Sequence, residues 1–118
     1  MLIVSLLIII VLLVPLINTF IQSKKEYEGE YDFRVSKIVV TPTKQLEFYT
    51  MEDKKIALWN YTIMEDEGVE VGDSIRKAKC SFYLYVLKKD SSGEYRDYMR
   101  MKPSGLFPYS MFCKEIVR

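Results

Sequence analysis

The chain contains no histidine, two cysteines and one tryptophan among 118 residues. Without an imidazole there is no Ser-His-Asp or Cys-His catalysis and no His-based metal site. Cys80 and Cys113 stand far apart, without the paired spacing of a zinc ribbon. Charge of one sign is also lacking: 17 Lys and Arg oppose 16 Asp and Glu, for a net charge of +1. That balance gives no long-range field to attract nucleic acid or anionic lipid. No glycine-rich phosphate loop, nucleotide fingerprint, internal repeat or low-complexity tract is present. The most informative absence is local: residues 1–23 carry no charged side chain at all.

What fills that stretch is aliphatic. Leu2 to Ile21 reads LIVSLLIIIVLLVPLINTFI. As a helix rising about 1.5 Å per residue it is roughly 30 Å long, the thickness of a bilayer's hydrocarbon core. Only a helix satisfies the backbone of such a segment in lipid. The run exceeds the apolar core of a secretory signal, about 7–15 residues, and no A-x-A-like cleavage site follows it. No cysteine follows it to be lipid-modified. An uncleaved single-pass signal anchor over 1–23 is therefore expected, followed by a small domain over 24–118. Its orientation is read in two ways. Lys24, Lys25 and Arg34 lie on the C-terminal side, which counted literally retains the domain in the cytoplasm. The one-residue N-terminal flank and the exporting role of such leaders point the other way. The expectation is a bacterial inner-membrane protein with its domain in the periplasm.

The aqueous part is patterned for strands. Tyr27, Tyr31, Phe33 and Val35 alternate with charged or polar residues, so one face is apolar and the other wet. Ile38 to Val40 continues the run until Pro42 breaks it. Gln45–Thr50 and Lys55–Ile63 read as the next strands, with Met51–Lys54 as a hairpin loop between them. Met64–Gly68 is an acidic connection, and Val69–Val71 is short and extended. Cys80–Leu87 is apolar on both faces, the pattern of a central strand. Lys88 and Lys89 end it, Asp90–Gly93 is a turn, and Glu94–Met101 returns as its partner. A last apolar patch follows, comprising Leu106, Phe107, Tyr109, Met111, Phe112, Ile116 and Val117. About six strands spaced by 8–12 residues predict a mostly β fold, a small antiparallel β-barrel or sandwich.

Two turns and two cysteines carry the structural expectations. Gly72-Asp73 is a turn signal: the glycine supplies an unusual backbone angle and the carboxylate bonds nearby N–H groups. Gly93 plays the same part in Asp90-Ser91-Ser92-Gly93. Cys80 and Cys113 are either a disulfide joining the long strand to the C-terminal segment or two buried thiols. A disulfide across a loop of that size contributes roughly 3–4 kcal/mol on the chain-entropy account. Glu65, Asp66, Glu67, Glu70 and Asp73 lack the ordered spacing of a calcium loop. Tyr83, Tyr85, Tyr95 and Tyr98 fall on adjacent predicted strands and, with Trp59, form a candidate interaction surface. No basic stripe accompanies them, so nucleic acid is not an expected partner.

Three resemblances attach to these residues. Gly72-Asp73-Ser74-Ile75 resembles the nucleophile block of GDSL-type esterases, but those enzymes need a histidine base and a larger α/β fold. The stretch Val69 to Lys77, with SFYLYVLKKDSSGEY over 81–95, is similar to an uncharacterised group of short bacterial envelope proteins. These carry an apolar or lipid-modified N-terminus, a V-G-D-S-I-x-K turn and a strand ending in a K-D-x-x-G hairpin. The turn also resembles the G-D-x-I/V-x-K turn of barrel-sandwich domains in lipoyl carriers and cell-wall peptidases. The carrier lysine and the metal-binding histidines of those domains are missing here. The resemblance implies an anchored small β domain and assigns no functional residue. The function expected is a membrane-anchored, non-catalytic accessory subunit that binds an envelope protein, with no cofactor. The alternative is a module for a small ligand, a glycan or a lipid headgroup.

Overall fold

A single long helix opens the chain, whose apolar run carries one residue, Pro15, that disfavours a helix. In the computed structural model, which describes residues 1–113, α1 runs from Leu2 to Glu28, continuous through Pro15. It is long and apolar enough to cross a membrane, and its apolar part touches almost nothing else. It also runs further than the charge boundary suggests. Tyr27 is not the start of a strand but lies in the last helical turn. Once a helix is nucleated, adding a residue costs little, and Gln22 to Glu28 contains mostly good helix formers. The alternation of Tyr27 with Glu28 and Glu30 is therefore overridden by the helix before it.

Among the described residues seven strands follow, in two antiparallel sheets. The four-stranded sheet has the order β1 (Tyr31–Arg34), β5 (Ser74–Lys77), β6 (Leu84–Lys89), β7 (Tyr95–Met101). The three-stranded sheet has the order β2 (Lys37–Val40), β3 (Leu46–Tyr49), β4 (Lys55–Ile56). The chain changes sheet at Val35-Ser36. The Val35 N–H donates to Asp73 O at 2.8 Å, and the next N–H, of Ser36, donates to Tyr49 O at 2.8 Å. Both sheets feed one core, which includes Phe48, Ile75, Leu84, Val86, Tyr61 and Ile63. β6 is central in its sheet, as its two apolar faces require.

Four further expectations are corrected. Among the described residues there is no closed barrel. The predicted strand Lys55–Ile63 stops at Ile56, because the backbone of the rest is engaged elsewhere. Trp59 and Asn60 donate their N–H groups to Glu26, and Asn60 O accepts from Ser104 and Gly105. Since each buried N–H and C=O can be spent only once or twice, the middle of this segment has little left for a sheet neighbour, and it meets β3 again only at its end, where Ile63 O accepts from Leu46 N at 2.8 Å. Finally, the central strand begins at Leu84 rather than Cys80. Cys80 is left-handed at φ 53°, and its N–H donates to Tyr27 O at 2.8 Å. Conversely, Ser74–Lys77, read as a lead out of the turn, is a full strand.

Cys80 and Cys113 form a disulfide, with Cα atoms 5.7 Å apart. Tyr109 to Met111 makes a short 3-10 turn just before it. Ile116 and Val117 of the last apolar patch lie outside the described residues.

Candidate functional site

The helix end is built into the β unit rather than linked to it. Phe20, Ser23 and Tyr27 recur at three- and four-residue spacing, which places them on one helix face. Ser23, Glu26 and Tyr27 are buried. The Glu26 carboxylate accepts three hydrogen bonds: from Asn60 N at 2.7 Å, Trp59 N at 3.0 Å and the Tyr31 hydroxyl at 2.7 Å. Asn60 returns a bond from its side-chain amide to Ser23 O at 2.9 Å.

From the other side comes Lys77. It follows Ile75 by two residues on β5, so it points into the core, and it is only 2% exposed. Its ammonium donates to the carbonyls of Tyr27 at 3.1 Å, Gly29 at 2.7 Å and Ala78 at 3.1 Å. A cation on the last carbonyls of a helix satisfies orphan acceptors and complements the helix dipole. Burial nonetheless pushes the Lys77 pKa down to about 8, against the opposing pull of Glu26 and Glu30. Burial also raises the hydroxyl pKa values of Tyr31 and Tyr61, with Glu26 adding to both shifts.

Beside this joint opens a cleft of about 440 Å³. Gln22, Lys25, Glu30, Lys54, Tyr31 and Trp59 are among its walls. Trp59 is 39% exposed there.

The tyrosines divide between the two faces of the larger sheet. Residues opposite one another in register share a face, so Arg76, Tyr85 and Arg100 stand together, as do Lys89 and Tyr95. Leu84 and Val86 point the other way, into the core. On this outer face the Tyr83 and Tyr85 rings are 6.2 Å apart, and the Arg100 guanidinium sits 4.4 Å above Tyr83. Tyr95 is ringed by Arg34 at 5.5 Å, Lys89 at 5.6 Å and Arg76 at 6.0 Å. Arg76 also pairs with Asp32 at 3.3 Å. Tyr98 is not part of this group. It lies at the irregularity in the β6–β7 register, under Lys88 rather than Lys89, and its hydroxyl donates to Glu67 O at 3.0 Å. Trp59 is at the helix joint, apart from all four tyrosines.

The turn residues do what turns require. Gly72 and Gly93 take φ of 97° and 86°, conformations open to glycine. The Asp73 carboxylate accepts from Glu70 N at 2.8 Å and from Lys88 Nζ at 2.7 Å. Among the described residues, no three His, Cys, Asp or Glu side chains gather as a metal site. Sequence reasoning missed Glu26, Lys77 and the cations over the tyrosines. For Lys77 a signal existed, since it occupies the inward register set by Ile75. For Glu26 the only signal was its place beside the Phe20-Ser23-Tyr27 spacing. No family model matches the chain, and no curated protein or solved structure matches it either.

Proposed function

We propose that the chain is a membrane-anchored accessory subunit of the bacterial envelope, without catalytic activity, whose β domain binds another protein. The observation that carries this reading is the outer face of the larger sheet, where Tyr83, Tyr85 and Tyr95 alternate with Arg34, Arg76, Lys89 and Arg100. Tyrosine and arginine supply large, rigid contact area with a polar tip and are enriched where proteins bind proteins. Asp32 lies on the same face, which favours a protein surface of mixed charge over a nucleic-acid backbone. The joint around Glu26 supports a second element of the reading, because it holds that face at a fixed distance from α1. The disulfide supports a periplasmic position, since such bonds persist in oxidising compartments.

The test is co-purification of the full chain from membranes in mild detergent, alongside the double variant Tyr85→Ser/Arg100→Glu. We expect a reproducible companion that the variant no longer retains. A companion retained by the variant removes the sheet face from the reading, and the absence of any companion removes the reading itself.

One observation favours a second reading, a ligand module. The cleft beside Trp59 falls in the size range of small-molecule sites, about 300–1,000 Å³. It sets Lys25 and Lys54 against Glu30, a pairing suited to a zwitterionic or sugar-phosphate headgroup. Since Trp59 is the only tryptophan, its fluorescence reports directly on occupancy. Titration with glycerophosphoethanolamine or N-acetylglucosamine 1-phosphate should change its emission saturably, and unchanged emission to millimolar ligand refutes this reading.

A further inference from the structure

Residues 103–113 form the longest uncharged stretch after Lys24. Its side chains do not all fold inward. Leu106 is 67% exposed and Met111 56% exposed, on either side of Phe107 and Tyr109. The stretch is fixed in place by the structure already described. Its far end is held by the disulfide to Cys80, and the Tyr109 hydroxyl donates to Cys80 O at 2.5 Å.

Its position along α1 gives the exposed residues a meaning. The Phe107 ring meets the Phe20 ring edge-on at 5.2 Å, and the Phe112 ring lies 5.1 Å from Phe20 and 5.7 Å from Tyr27. Phe20 belongs to the uncharged run and precedes Lys24 by about one helical turn, roughly 6 Å along the axis. The C-terminal segment therefore reaches past the first charges to the level of the apolar run. Asn60 O accepts from Ser104 N at 2.7 Å, which brings the loop carrying Trp59 to the same underside. In water this surface would leave Leu106 and Met111 bare beside a bare helix. At the lipid boundary the same side chains are buried in acyl chains, with Trp59 at headgroup level, where tryptophan concentrates.

We propose that the segment 105–112 is a second membrane contact, in which Leu106 and Met111 enter the boundary of the bilayer beside α1. The occupant of this surface is lipid, because the surface is continuous with the apolar run of the helix. The inference rests on the reading of α1 as a membrane span. Its consequence is a restraint on tilting of the β domain about the helix, because a second contact beside α1 also meets the bilayer.

The test uses the full chain in vesicles of phosphatidylcholine and phosphatidylglycerol containing phosphatidylcholine brominated in its acyl chains. In a Trp59→Phe background, single tryptophans are introduced by Leu106→Trp, Met111→Trp, Leu13→Trp and Val71→Trp. Leu13 lies in the middle of the uncharged run. Val71 lies at the far end of the domain, since it precedes β5, whose other end carries Lys77 at the helix terminus. Leu106 and Met111 are exposed, so the new rings need no core space. Emission from Leu106→Trp and Met111→Trp should fall about twofold in brominated lipid, with that of Val71→Trp unchanged. Quenching of Leu13→Trp without quenching at either 106 or 111 overturns the inference and leaves the span intact. No quenching of Leu13→Trp overturns the span and the inference with it.

Discussion

The two ends of the β unit use the same device in opposite surroundings. At the helix end, a carboxylate (Glu26) gathers backbone N–H groups and an ammonium (Lys77) gathers carbonyls, all nearly sealed from water. At the far end, the Asp90 carboxylate gathers the N–H groups of Ser92 and Glu94, together with the Ser92 hydroxyl and Arg96, in open solvent. The number of bonds is similar. The difference is what replaces them when they are lost: nothing at the helix end, water at the hairpin. A buried polar group stripped of its partner carries its full desolvation penalty, whereas an exposed one recovers most of the loss from solvent. The helix end should therefore dominate stability, and graded substitutions at the two ends measure by how much.

The largest effect is expected at Glu26. Glu26→Ala removes the acceptor of three hydrogen bonds and leaves the Trp59 and Asn60 N–H groups with no replacement. At about 1–3 kcal/mol for each stranded buried group, a loss of about 3–5 kcal/mol is expected, a large share of a small domain's stability. Urea unfolding of the full chain in detergent micelles, followed by Trp59 fluorescence, measures it. Glu26→Gln keeps one carbonyl acceptor but adds an amide that needs partners of its own, so it should recover only part of the loss. Next comes the disulfide. Cys113→Ser should cost roughly 3–4 kcal/mol by the same measurement, because it frees the loop between Cys80 and the C-terminal segment. Equal stability of the reduced and oxidised proteins would contradict this.

These two sites show what was readable beforehand. The helix was legible because a run such as LLIIIVLLV has no reading in water that buries it. The β6–β7 hairpin was legible because period-two patterning and a strong turn agreed with each other. Tyr27 and Ala57–Ile63 were misread for one shared reason. Both alternate like strands, but Tyr27 inherits a helix from the residues before it, and Trp59 and Asn60 spend their N–H groups on Glu26. Periodicity records which side chains are apolar and says nothing about where the backbone bonds go. Glu26 was hidden by its charge: within Lys24-Lys25-Glu26 it reads as part of a solvated run, and only the helix face shared with Ser23 and Tyr27 buries it. The four tyrosines were placed on adjacent strands from pattern alone. Their division between faces depends on the irregularity at Val86/Leu87, which no local signal announces.

Lys77 sharpens the comparison through pH. Its pKa of about 8 lies below the 10.5 of a free lysine. Between these values the unfolded chain binds more protons than the folded one, so stability rises with pH. The gain from pH 8 to pH 10 should be about 2 kcal/mol. Above pH 10 the trend reverses. Tyr31 and Tyr61 have raised pKa values in the fold, so the unfolded chain loses their protons first and stability falls. A maximum near pH 10 is the expected profile. Lys77→Met keeps most of the side-chain volume but leaves the Gly29 carbonyl short of a donor, while Tyr27 O keeps only the Cys80 N–H. It should cost about 2 kcal/mol at pH 7 and abolish the rise between pH 8 and 10. A rise that persists in Lys77→Met would assign it to some other group.

The smallest effect belongs to Asp90, although its carboxylate is as well supplied with donors as that of Glu26. The Ser92 hydroxyl and Arg96 hold its pKa down to about 2. A carboxylate depressed in the fold contributes stability above its unfolded pKa of about 3.8 and loses it as pH falls through 2. Asp90→Ala should therefore move the urea midpoint less than any substitution above, and its difference from the parent should shrink as pH drops below 4. Salt should shrink it too, because ions screen an exposed pair. Glu26→Ala should respond less to salt, since the carboxylate is nearly buried and its lost bonds are to backbone and hydroxyl groups and not to an exposed cation. Equal salt sensitivity of the two variants would mean that water reaches both ends alike, and the ranking built on burial would fall.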